Sequence, residues 1–238
     1  AQGVFEPSLV RDLNVRLGRI AEERLNDDAR AIRAYVHAVE QAGDDPDLLA
    51  ALDRLYERVG DRQALADVIE RRAGVASDPN AEAELLFRLA SLQIREFGDP
   101  ASGLGSLRAA LERNPGHALA TQELERLAKR EDLFEEASEV LERVYRMQGS
   151  TERLAAVYTR RVELARSAEE RVEMRRSLAR VLEDDARDPL GAQRVLEAAL
   201  REEPSDAGLL EELERLAPMT GDWRGAAAVL REAVDGAT

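Results

Sequence analysis

The 238-residue chain has no cysteine, a single lysine, two histidines and an aromatic share of only 4%. Without cysteine it forms no disulfide and offers no thiolate to a metal. One lysine, Lys129, leaves few lysine-dependent mechanisms. The other thirty-three basic residues are arginine, a bias that reads as a GC-rich coding sequence. No apolar run reaches the roughly 18 residues of a membrane span, and the first residues lack the basic-then-apolar pattern of a signal peptide. A starting Met is also missing, so Ala1-Gln2-Gly3 reads as an engineered scar or an internal cut, and the chain as part of a longer bacterial protein. A cytoplasmic location is expected, with the periplasm left open because a leader of the parent protein is not in view.

The motifs of common chemistries are missing too. A phosphate loop needs Lys after its last Gly, whereas Lys129 follows Ala128. Gly103-Leu104-Gly105-Ser106-Leu107 is the nearest string to a nucleophile elbow, and it lies within a helical pattern. His37 and His117 stand 80 residues apart with no His-Glu-x-x-His. Asp44-Asp45-Pro46-Asp47 and Asp184-Asp185 lack the Gly and the distal Glu of a calcium loop, so they read as helix caps and solvated charge. Neither a catalytic residue nor a metal or cofactor site is expected. The formal charge of −14 argues against a nucleic-acid partner, which requires a basic face.

What the chain does have is Ala, Leu, Glu and Arg, with 44% hydrophobic and 34% charged residues, the composition of packed helices with solvated outer faces. These residues are arranged in blocks. Leu17, Leu52, Leu55 and Ile69 recur 72 residues later as Leu89, Leu124, Leu127 and Leu141, and again 89 residues on as Leu178, Leu213, Leu216 and Leu230. Blocks are placed at 8–78, 79–166 and 167–235. Such a block buries its apolar faces by stacking on neighbours.

Each block opens its second helix at an acidic turn: Asp27-Asp28, Asp99-Pro100 and Asp188-Pro189. An Asp at the N-cap accepts from a free backbone N–H, and Pro at the next position loses no donor. Asp45-Pro46 repeats the device, and Ser167 with Glu170 forms a capping box. Within the second helices, Ala31, Gly103 and Ala192 share one register and Ala38, Ala110 and Ala199 another, two turns on, so both small residues lie on one face and admit a close neighbour. Pro115 and Pro204 stop two of these helices.

This spacing, with Gly98-Asp99 at the inter-helix turn, resembles the tetratricopeptide repeat, a helix-turn-helix unit of 34 residues. The resemblance is best from Ala83 to Gly116, where Phe87, Ala90, Ser91, Ile94, Gly103, Leu107, Ala110 and Pro115 match the family pattern. Blocks one and three depart from it with Val15 and Arg176 at the aromatic position and Glu22 and Glu183 at an apolar one. The third and fourth helices of a block fit as degenerate units. The resemblance implies an all-α solenoid, a right-handed superhelix of antiparallel helix pairs that binds a peptide or protein on its concave face. The Lys/Asn clamp that some relatives use on C-terminal carboxylates is lacking, since Arg88, Leu92 and Arg95 hold its positions.

About thirteen helices are predicted. Leu65–Arg72 aligns with Leu154–Arg161 at offset 89, so the 17 added residues precede Leu154 and predict an extra helix near 133–148. From Arg143 to Arg180 ten arginines meet five acids, a charge of +5 in a chain whose remainder is −19. Arg143, Arg146, Arg153, Tyr158, Arg160, Arg161, Arg175, Arg176 and Arg180 are therefore the candidate partner-binding residues, for an acidic peptide or a C-terminal carboxylate, because guanidinium forks match carboxylates. The competing reading is that these arginines pair with nearby Glu and stay solvated. The chain is expected to be a non-catalytic protein-binding scaffold, with homo-association through the solenoid ends; the alternative is an architectural spacer or self-assembly subunit with no separate ligand. Exposed Gly105, in register with Arg33 and Arg194, reads as drift.

Overall fold

The computed structural model describes residues 7–236, so Ala1-Gln2-Gly3 lies outside the described residues. Among these residues there are thirteen α-helices and no strand. The chain divides into two compact units, 1–133 and 134–238.

The first unit holds α1 (Pro7–Glu23), α2 (Asp28–Ala42), α3 (Pro46–Val59), α4 (Arg62–Val75), α5 (Pro79–Arg95), α6 (Pro100–Arg113) and α7 (Ala118–Leu127). Each packs on the next. α8 (Glu131–Gln148) starts at the end of this unit and runs into the second; it covers the span near 133–148 where an added helix is expected. The second unit continues with α9 (Thr151–Leu164), α10 (Ala168–Arg180), α11 (Pro189–Glu202), α12 (Ala207–Thr220) and α13 (Trp223–Gly236). There α9 packs on α10, α10 on α11, and α11 on both α12 and α13.

The predicted caps position the helices. The carboxylates of Asp27, Asp99 and Asp188 accept from the N–H groups of Arg30, Ser102 and Gly191 at 2.8–3.0 Å. Ahead of each cap stands a residue with left-handed backbone, Asn26, Gly98 and Arg187, at one register of the three blocks. The Ser167 hydroxyl caps α10, but Glu170 reaches the backbone N–H of Arg166, one residue before the expected N-cap N–H. α10 passes into a π-helical turn, Val181–Asp185. α6 and α11 end two residues before Pro115 and Pro204, because the residue preceding a proline is forced out of the helical region: Asn114 and Glu203 have φ −137° and −131°. Pro218, by contrast, lies inside α12, whose end falls at Gly221 in the left-handed region; a proline in the last turn forfeits one bond only.

The small residues do what their register requires: Ala31, Ala38, Ala110, Ala192 and Ala199 have no exposed surface. Gly103 is the tightest case. A Cβ there would come within 2.3 Å of Ile94 Cγ1, so the α5–α6 crossing demands glycine while Ile94 keeps its rotamer. The landmark residues are buried with two exceptions: Leu89 and Leu178 are nearly covered, whereas Leu17 on α1 is 45% exposed and Leu230 on α13 is half-buried.

Candidate functional site

All nine sequence-predicted residues fall on α8, α9 and α10, and the fold gathers five of them into two clusters. The first centres on Glu142 of α8. Its carboxylate accepts from Tyr158 Oη at 2.7 Å and from Arg161 Nη1 at 2.6 Å, and lies 3.2 Å from Arg146 Nη2. Arg161 also donates to Ser138 Oγ at 3.0 Å, and its guanidinium lies 5.0 Å from the Tyr158 ring centroid. Burial pushes the Glu142 carboxyl up, but the Tyr158 hydroxyl and the Arg161 and Arg146 guanidiniums outweigh it and hold it below the usual carboxylate range. Burial and the bond to Glu142 raise the Tyr158 phenol.

The second cluster ties α10 to α11 and α12. Glu202 takes Arg175 at 2.6 Å and Arg171 at 2.8 Å. Arg176 donates to Asp206, the N-cap of α12, at 2.7 Å. Burial again pushes Glu202 and Asp206 up. The two arginines lower Glu202 on balance, and backbone N–H groups together with Arg176 do the same for Asp206.

The remaining candidates point outward. Arg160 pairs within its own helix, with Glu163 at 2.8 Å. Arg153 lies 5.9 Å from the Tyr145 ring centroid and Arg143 is exposed. Arg180 is exposed and has no ion pair among the described residues. Thus the segment that is +5 along the sequence is partly neutralised in space by Glu142, Glu202 and Asp206, acids from outside it. A window count cannot see partners 19–30 residues away.

An acidic hub in the first unit escaped the sequence reading. Asp53 of α3 is 2% exposed and accepts from Arg88 of α5 at 2.9 and 3.0 Å and from Arg72 of α4. The bond to Asp53 is the main cause that raises Arg88. Asp53 and Arg72 recur at offset 89 as Glu142 and Arg161, so the two hubs are copies of one device. The signal available was an acid inside the buried leucine register of α3.

His117, Asp45 and Asp44 are engaged structurally. His117 caps α7, its Nδ1 accepting from the Ala120 N–H at 3.1 Å, with Glu84 at Nε2 and the Phe87 ring 5.1 Å away. Asp45 caps α3 and binds Arg11 at 2.7 Å, and Asp44 binds Arg71. Among the described residues no three His, Asp or Glu side chains gather as a metal-ligand set, and no helix is long and apolar enough to cross a membrane.

Comparison with known proteins agrees with the repeat. A family model described as tetratricopeptide repeat matches residues 48–83. That span is α3, α4 and the start of α5, a pair the sequence pattern rated as degenerate, rather than 83–116. Within it Leu49, Leu52, Leu55, Leu65 and Ile69 are buried. No curated protein matches the chain. Among solved structures the chain is similar to the TPR domain of P58(IPK), at 16% identity over 94% of this chain and 60% of that one, with a TM-score of 0.43. It is also similar to MamA protein (17% identity, 84% and 96% covered, TM-score 0.37). A third is TTC0263, a thermophilic TPR protein of Thermus thermophilus (18% identity, 87% and 98% covered, TM-score 0.31).

Proposed function

We propose that this chain, a tetratricopeptide-like helical repeat protein, is a non-catalytic scaffold that takes up an acidic protein segment on the arginine-bearing surface of α8–α10. The observation that carries the reading is the division of labour among the arginines. Arg161, Arg175 and Arg176, with side chains 17–20% exposed, hold helices together and are costly to detach from their carboxylates. Arg146 and Arg160 are themselves about half open to solvent and pair within their own helices, where an ion pair is worth at most about 1 kcal/mol, so an incoming carboxylate can engage either guanidinium at little cost. With Arg143, Arg153 and Arg180 they form the outward part of the surface.

The test is fluorescence anisotropy with a Glu-rich peptide and its Gln-substituted control. Binding that weakens with salt, is lost in Arg153→Glu/Arg160→Glu/Arg180→Glu, and is absent for the control supports the reading. Equal binding of both peptides, or binding unaffected by the triple reversal, sinks it. A second reading, a subunit that assembles with itself, is favoured by one specific observation: Leu9, Leu13, Leu17 and Ile20 form an exposed row along α1.

A further inference from the structure

The exposed row on α1 has an internal copy that is covered. At offset 72, Leu13, Leu17 and Ile20 correspond to Leu85, Leu89 and Leu92 of α5, and those three pack against Tyr56 of α3 and Leu65, Ala66 and Ile69 of α4. The chain therefore contains, within its first unit, a worked example of what sits on this surface: the groove of a preceding helix pair.

The same groove recurs open. At offset 161, α3 and α4 become α12 and α13, and Tyr56, Ala66 and Ile69 become Ala217, Ala227 and Leu230. With Glu214 and Trp223 these line a cavity of about 100 Å³. Replacing Tyr56 by Ala217 widens the groove, and exposed Trp223, where α4 has Arg62, supplies apolar surface at its end. The charges correspond as well. The Arg88–Asp53 pair that links α5 to α3 maps onto Arg16 and Glu214, of opposite sign, both exposed and both without an ion pair among the described residues. The Arg62–Glu96 approach at 3.8 Å maps onto Trp223 and Arg24, a cation-and-ring combination.

We infer that a second copy of the chain docks here, its α1 entering the α12–α13 groove of the first with Leu13, Leu17 and Ile20 inward and Arg16 on Glu214, in the register of α5 on α3–α4. This rests on the self-assembly reading and gives it a geometry. The contact joins unlike surfaces, so each added copy presents a fresh groove, and the mass rises with concentration beyond the dimer.

Sedimentation velocity over a wide concentration range tests it, with two variants at exposed positions, Leu17→Asp and Ala227→Arg, whose circular dichroism and melting are expected to match the parent. Each variant alone stays monomeric, and an equimolar mixture gives a single heterodimer that grows no further, because one intact α1 meets one intact groove. In a second mixture, the Arg16→Glu form of Ala227→Arg pairs with Leu17→Asp about fivefold more weakly, and adding Glu214→Arg to the latter restores it. A parent chain that is monomeric at every concentration overturns both the assembly reading and this geometry. Association of the parent that survives in either single variant keeps assembly but overturns the stacking, pointing to α1 on α1 or groove on groove. Failure of the mixture to form the heterodimer overturns it equally.

Discussion

The positions that depart from the repeat pattern are occupied by side chains with structural work of their own. Glu22 stands where Ile94 is apolar, and it accepts from Tyr35 Oη at 3.2 Å and faces Arg54 and Arg58 at 3.8 and 3.5 Å. Its copy Glu183 pairs with Arg215, the copy of Arg54, at 2.6 Å. In block two the acid is replaced by Ile94, and Arg126 turns to Glu123 instead. Arg176 likewise replaces Phe87: Phe87 packs its ring, tilted, against the N-cap residue His117, and Arg176 bonds the N-cap residue Asp206. The chemistry changes while the pair of positions stays in contact. The two neighbouring glycines of α6 separate by the same logic. A Cβ on Gly105 meets nothing within 4 Å, so Gly105→Ala is expected to stabilise by about 0.5–1 kcal/mol through helix propensity. Gly103→Ala drives a methyl into Ile94 and is expected to cost about 1–3 kcal/mol, much of it recovered when Ile94 is cut to Val. Chemical denaturation of the three variants checks both signs, and a destabilised Gly105→Ala would mean that its outer face is not free of neighbours.

At the scale of helices, stability rests on which face has a neighbour. Leu89 of α5 is buried against α4, so Leu89→Ala is expected to cost about 2–5 kcal/mol. Its copy Leu17 is half in solvent, and Leu17→Ala in dilute protein is expected to cost well under 1 kcal/mol; equal losses would put the register in error. Asp53→Ala leaves Arg72 and Arg88 facing each other without their acid and is expected to cost about 3 kcal/mol, while Arg54→Ala, at the exposed neighbouring position of α3, costs little. Helix positions were legible because their signals are local: Asp caps, small residues seven apart and apolar periods act within a few residues. The helix over Glu131–Gln148 was legible as a break in period. What escaped was set by partners about 20 to 35 residues distant, since nothing in a linear window says that Arg161 faces Glu142 or that Arg88 faces Asp53. The exposure of Leu17 was hidden for the same reason, because periodicity marks an apolar face without saying whether anything covers it.

Across the whole molecule, acid acts through two opposed effects. Lowering the pH relieves the self-repulsion of a chain at −14, and it also titrates the carboxylates that arginines hold below their ordinary range. For a carboxyl lowered on folding, the stabilisation is complete above the unfolded value, about 4, and is lost as the pH falls through the folded one. In the second unit the lowered groups Glu142, Glu202 and Asp206 join different helices. In the first unit the lowered Asp99, Glu123 and Asp132 bond to neighbours two or three residues away, so their protonation loosens a helix end without parting helices. The repulsion is long-range and fades at about 0.15 M salt, where the screening length is about 8 Å; pairs at 2.6–2.8 Å are barely screened. Titration below about pH 4 in that salt is therefore expected to open the second unit first. Hydrogen exchange followed on peptic fragments should lose protection over residues 138–161 and 171–212 before residues 28–75. Glu142→Gln, neutral at every pH, should weaken the α8–α9 pairing at neutral pH and remove part of its acid dependence. Earlier opening of the first unit, or an acid profile unchanged in Glu142→Gln, would show that these ion pairs do not govern the response.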